Sequence, residues 1–189
     1  GVRLVGSEMC IRDRERGGSV AKRVFDKLGW DNEGGSFTRF DYSDNNMAHD
    51  KLTVFREIAK SEYFVYPLVL ENGFVHKDTF GCVVAEACAL GAIVITFPVA
   101  ALPQHYGNSA VFVGLPSDAN LEELTAGRNI IDRSLLSEES VDNIVNAIRD
   151  LEANPSKKEE IRKNARENVR RMFNIEAVGK LWEEFLEGW

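Results

Sequence analysis

The chain has 189 residues, enough for one sizeable domain, with 44% hydrophobic and 28% charged residues, the ordinary balance of a soluble globular protein. Its formal charge of −7 leaves no basic excess to neutralise phosphates, which argues against nucleic acid as the main partner. No apolar run reaches transmembrane length, and the three cysteines (Cys10, Cys82, Cys88) and three histidines (His49, His76, His105) have no metal-ligand spacing.

In chain order, Val5 to Arg14 has neither a helical nor a strand period. This decapeptide, VGSEMCIRDR, resembles the translation of sequencing-adaptor DNA at the edge of an assembled read. Residues 1–17 are therefore expected to be a non-native or disordered start, with residues 18–189 forming the domain. Val20, Val24 and Leu28 share one helix face, and Gly34-Gly35 separates that helix from an alternating strand, Phe37 to Phe40. A polar loop over Asp41 to Asn46 precedes a helix from Asp50 to Lys60, with Leu52, Phe55, Ile58 and Ala59 expected to face inward. Tyr63 to Tyr66 reads as a strand stopped by Pro67, and Leu68 to Lys77 as a loop.

The stretch from Val75 to Pro98 organises the rest. It reads as a polar loop, a helix over Cys82 to Leu90, a turn at Gly91, and a strand over Ala92 to Thr96 bounded by Pro98. The helix is apolar on nearly every side, the mark of a buried helix, so Cys82 and Cys88 read as small core residues and point to a reducing compartment. Glu86 is its only charged side chain. Burial of an unpaired carboxylate is costly, so Glu86 either faces a partner, ligand or wet cleft, or marks the solvent edge of a core helix. Asp78 or Thr79 is the expected N-cap, Gly81 permits close backbone approach, and a helix N-terminus suits a diphosphate.

Ala100 to Tyr106 is a loop or short helix, and Ala110 to Val113 a strand. Beyond Pro116 the chain is mostly helical. Ser137 caps a stripe of Val141, Ile144, Val145, Ile148 and Leu151. Asn154-Pro155 opens a second helix with Ile161, Ala165, Val169 and Met172, and Asn174 a third with Val178, Leu181, Trp182, Phe185, Leu186 and Trp189. This last stripe is expected to pack on protein, because its acidic polar side disfavours anionic lipid. Strands alternating with helices predict an α/β fold, a Rossmann-like parallel sheet with helices on both faces, closed by C-terminal helices over residues 137–189.

From His76 to Val113 the chain resembles the C-terminal half of GT-B glycosyltransferases of the large retaining family 4 (group 1) type. The resemblance rests on Asp78-Thr-Phe-Gly-Cys-Val-Val-Ala-Glu86-Ala, matching an E-x7-E pattern with F-G, followed by Ala89-Leu-Gly91 and Ile93-Val-Ile-Thr96. Ala100-Ala-Leu-Pro-Gln104 is similar to the family's G-G-L-P-E, and Ala165 to Glu176 to its A-R-x-x-V-x-x-x-F run, so the likeness covers roughly residues 36–189.

The resemblance implies that Glu86 binds the ribose hydroxyls of the donor nucleotide and that Asp78 contacts the donor sugar. It implies that Thr79, Phe80, Gly81, Cys82 and Val83 hold sugar and phosphate. No metal and no cofactor are implied, and the reaction is retaining transfer of a glycosyl unit from a nucleoside diphosphate sugar, in the cytoplasm. Asp78 is one methylene shorter than the family's Glu, Gln104 replaces a Glu, and Ala100 and Ala101 replace glycines. The phosphate-clamping Arg and Lys lie before the matched region; Arg14, Arg16, Lys22 and Arg23 do not convincingly supply them. The carbohydrate or other acceptor would be held by an N-terminal domain that the matched region lacks. His76 and His105 flank the site either as exposed loop residues or as auxiliary contacts. Two other readings share the architecture: a nucleotide-sugar-binding module without catalysis, and a sugar-nucleotide epimerase.

Overall fold

A computed structural model describes residues 8–12, 18–33, 35–40, 51–75, 77, 80–126 and 130–187. Five strands, β1 (Glu8–Arg12), β2 (Ser36–Phe40), β3 (Tyr63–Tyr66), β5 (Ile93–Thr96) and β6 (Val111–Phe112), form a wholly parallel sheet in the order β2-β1-β3-β5-β6. Glu8–Arg12, part of the start without a period, thus pairs between β2 and β3. The expected polar loop over residues 41–46, and Arg14 and Arg16, lie outside the described residues.

β3 and β5 are buried at every position, as the apolar runs predict for strands covered on both faces. The connections alternate strand and helix. α1 (Gly18–Leu28) joins β1 to β2 and packs on α6 (Glu138–Ala153). α2 (Lys51–Lys60) and α3 (Cys82–Leu90) follow β2 and β3 and pack on each other. α7 (Pro155–Phe173) lies against α3, α6 and β5, and α8 (Ile175–Glu187) rests on α7. Arg23, weighed above as a phosphate ligand, instead ties α1 to the start of α6. Its guanidinium donates to the Leu136 carbonyl at 2.6 Å and to Glu138 at 2.5 Å.

Local signals set most boundaries. The Ser137 hydroxyl accepts from the Ser140 amide at 3.2 Å, and all five apolar residues of the expected α6 stripe are buried. Asn174 Oδ1 accepts from the Glu176 amide at 2.9 Å and opens α8. Gly91 ends α3 at φ 91, its N–H reaching the Ala87 and Cys88 carbonyls.

Four expectations are corrected. α2 buries Val54 and Ile58, whereas Leu52 is 62% exposed and Ala59 is exposed. A residue four positions away shares the Ile58 face, so the true stripe is rotated by a fraction of a turn. The loop Leu68 to Lys77 contains β4 (Phe74–Val75), paired antiparallel with β7 (Ile130–Ile131); two-residue strands leave no period to read. On α8, which rests on α7, Trp182 and Leu186 are 60% and 66% exposed, so the stripe is only partly covered; the side chains of Val178, Leu181, Phe185 and Trp189 lie outside the described residues. Cys82 is exposed, not a core residue, because its face of α3 turns away from the sheet, while Cys88 is buried as expected.

Candidate functional site

α3 starts at the C-terminal edge of the parallel sheet, the edge where open α/β sheets bind ligands. Its N-cap position is taken by Gly81, at φ 68, which has no side chain to offer. That left-handed backbone suits glycine, and an added methyl would sit 2.7 Å from a Leu102 methyl. Asp78, Thr79 and His76 lie outside the described residues.

The turn before α3 is held from three sides. The Tyr106 hydroxyl, at the end of α4 (Leu102–Tyr106), lies 3.0 Å from the Phe80 carbonyl and 3.1 Å from the Gly81 carbonyl. The Phe80 ring packs against His105 at 5.2 Å and edge-on to Phe173 at 5.3 Å between centroids. Upstream, the Lys77 ammonium donates to the carbonyls of Glu123 and Ala126, at the end of α5 (Leu121–Thr125). Those carbonyls carry the negative end of the helix dipole, so the ammonium neutralises it and anchors the loop.

Beyond the turn, Cys82, Ala85, Glu86 and Ala89 form one face of α3 at i, i+3, i+4 and i+7. With Val169 and Phe173 of α7 they line a cleft of about 320 Å³. That volume is at the small end of ligand clefts. The small side chains at 85 and 89 make room, and Glu86 is the one charged group in the lining. Val83, by contrast, turns inward and is 9% exposed, so its side chain does not line the cleft. Burial pushes the Cys88 thiol up to about 12, which keeps it neutral behind this face.

The fold therefore brings Phe80, Gly81, Cys82, Val83 and Glu86 to one helix start, with Cys82 and Glu86 at the cleft itself. His105 is half-buried in α4, so of its two readings the exposed loop residue does not hold. Sequence reasoning passed over Tyr106, Val169 and Phe173 as site residues. Tyr106 follows the Leu-Pro-Gln-His run directly, and Phe173 ends the run that resembles the glycosyltransferases; contacts between separate elements leave no other trace in the sequence. Gln104 is exposed on α4. Among the described residues no cluster of His, Cys, Asp or Glu could hold a metal ion, and no helix is long and apolar enough to cross a membrane.

No protein-family model and no curated protein sequence matches the chain. Solved structures do match in fold. Sucrose-phosphate synthase from Thermosynechococcus elongatus aligns at 19% identity and TM-score 0.51, over 97% of this chain and 46% of that one. A GtfA/B complex aligns at 12% identity and TM-score 0.64, over 97% of this chain and 36% of that one. The pneumococcal O-GlcNAc transferase GtfA, in complex with UDP and GlcNAc, aligns at 12% identity and TM-score 0.56, over 95% of this chain and 35% of that one. The fold is thus that of GT-B glycosyltransferases, and the chain spans less than half the length of each of these structures.

Proposed function

We propose that this chain is the donor-binding domain of a metal-independent, retaining glycosyltransferase of the family 4 type. The observation that carries the reading is that Glu86 is the one charged residue lining a small cleft, little more than one turn from a helix that starts at Gly81. A carboxylate accepts hydrogen bonds from two adjacent ribose hydroxyls, and charge-assisted bonds of this kind are among the stronger ones. The positive end of α3 and its first amides suit the diphosphate, both bound and as the leaving group when the bond to the sugar breaks. Asp78 and Thr79, four and three positions ahead of Cys82, are assigned to the donor sugar. Phe80, Gly81, Cys82 and Val83 supply the backbone around it.

The acceptor, a carbohydrate or another hydroxyl compound, is assigned to a further domain, and the setting to the cytoplasm. A nucleotide-sugar-binding module without catalysis is the second reading, favoured by Asp78 and Gln104 in place of the family's two glutamates. Turnover of a nucleoside diphosphate sugar by the product of the whole gene separates the two.

Calorimetric titration with UDP, GDP and ADP tests the shared core of both. One nucleotide is expected to bind saturably, and Glu86→Ala to weaken it by about 1.5–3 kcal/mol, the worth of a hydrogen bond to a charged group. Equal affinity in the variant, or no binding of any of the three, would overturn the assignment for this chain.

A further inference from the structure

The aromatic contact between Phe80 and Phe173 joins two parts of the chain that no other described ring pair connects: the turn that starts α3 and the last residue of α7. Phe173 is 49% exposed, yet it does two things at once. Its ring meets Phe80 edge-on at 5.3 Å, and it lines the cleft that contains Glu86. Phe80 also meets His105, whose carbonyl accepts from Asn168 Nδ2 of α7 at 2.8 Å. α7 therefore grips the turn twice, directly through Phe173 and indirectly through Asn168 and His105.

We propose that Phe173 is a positioning residue: it holds the Phe80–Gly81 turn in the conformation that presents the start of α3 to the cleft. Gly81 sits in a left-handed conformation that glycine leaves easily, because it also populates other regions at little cost. The Tyr106 hydroxyl pins two carbonyls but no side chain. The orientation of the turn about those carbonyls is left to the Phe80 ring, which contacts both His105 and Phe173. Because Phe173 ends α7, a displacement of α7 against α3 reaches the turn through this ring. In its effect on ligand, the inference rests on the donor-binding reading; in its effect on the turn, it does not.

The test compares wild type, Phe173→Ala and Phe173→Tyr by backbone amide hydrogen exchange, with UDP, GDP and ADP titrated in parallel. In Phe173→Ala, exchange at Val84 and Ala85, whose amides donate to the Gly81 carbonyl, is expected to accelerate about 2- to 10-fold, the worth of one edge-to-face aromatic pair. Amides of Ile144 and Val145 in α6 should keep their wild-type rates, and Phe173→Tyr should restore the turn. If a nucleotide binds wild type, Phe173→Ala should weaken it by a similar factor and Phe173→Tyr should recover it. Unchanged exchange at the turn in folded Phe173→Ala would overturn the proposal, as would a uniform rise that includes α6. If wild type binds no nucleotide, the donor-binding reading fails alone, because the exchange rates still decide the role of Phe173.

Discussion

Ala100 occupies a backbone region where glycine is at home, with φ 51. It follows β5 and leads into α4, and its amide donates to the Leu124 carbonyl at 3.2 Å. The resembling glycosyltransferases carry glycine at this position, and the conformation gives the physical reason. A left-handed residue with a Cβ costs about 1–2 kcal/mol. Glycine in place of alanine usually costs about 0.5–1 kcal/mol inside a regular element. Here the two effects oppose each other, so Ala100→Gly is expected to be neutral or stabilising in urea unfolding. Ala100→Val adds a branched Cβ to the same backbone and should lower stability by about 1–2 kcal/mol. A destabilised Ala100→Gly with a harmless Ala100→Val would show that the turn is not held left-handed. Leu68, at φ 61 and wholly buried, is a second such position, but there the side chain is needed in the core.

Among the elements, α7 is the one that joins the others. Toward α3 it offers Val169 and Phe173; further back along the helix, Lys158 and Arg162 meet Glu62, which immediately precedes β3. Lys158 also reaches Glu152 at the end of α6, which in turn accepts from the Tyr63 hydroxyl. Burial raises the Tyr63 phenol well above its usual range, helped by Glu152, and raises the Cys88 thiol from 9.0 to about 12. Burial draws the Lys158 ammonium down, but its bonds to Glu62 and Glu152 outweigh this and leave it raised.

All three act in one direction. Above pH 9 the unfolded chain loses the Cys88 proton first, so the folded state binds more protons and stability falls as pH rises towards 12. The Lys158 contribution is fully present below 10.5 and is lost as pH rises through the higher folded value. Denaturant midpoints are therefore expected to drop from about pH 9 upward, by up to about 1.4 kcal/mol per pH unit for each proton involved. Cys88→Ala should flatten the first part of that decline; an identical slope in the variant would remove Cys88 as its cause.

At the scale of the whole molecule, the parallel sheet and its flanking helices account for the likeness to glycosyltransferase structures more than twice as long. α8 is where the described surface is least like that of a self-contained domain. Ile175, Trp182 and Leu186 are 84%, 60% and 66% exposed, and Phe173 adds a partly bare ring at the end of α7. Single exposed apolar residues are ordinary, but several on neighbouring turns of one helix form a patch. A dye that fluoresces on apolar surfaces is expected to bind the folded chain, and Trp182→Glu to reduce that signal without lowering the unfolding midpoint. An equal signal in the variant would place the dye elsewhere.

The runs Tyr63–Tyr66 and Cys82–Leu90 were legible to the residue and Ile93–Thr96 to within one, because burial on both faces demands unbroken apolar stretches and Pro67 and Gly91 end two of them. Ser137 and Asn174 marked their helices equally well, since a cap is a local hydrogen bond between near neighbours. The order of β2-β1-β3-β5-β6 within the sheet was decided by tertiary structure. So was the β4–β7 pair, whose strands are too short to carry a period. The same holds at the site. Glu86 stood out in the sequence as the single charge in an apolar helix. That it shares a cleft with Phe173, and that Tyr106 holds the turn beside it, are contacts across 87 and 25 residues of chain. Such contacts depend on how whole elements pack, and neither propensity nor spacing at either end encodes them.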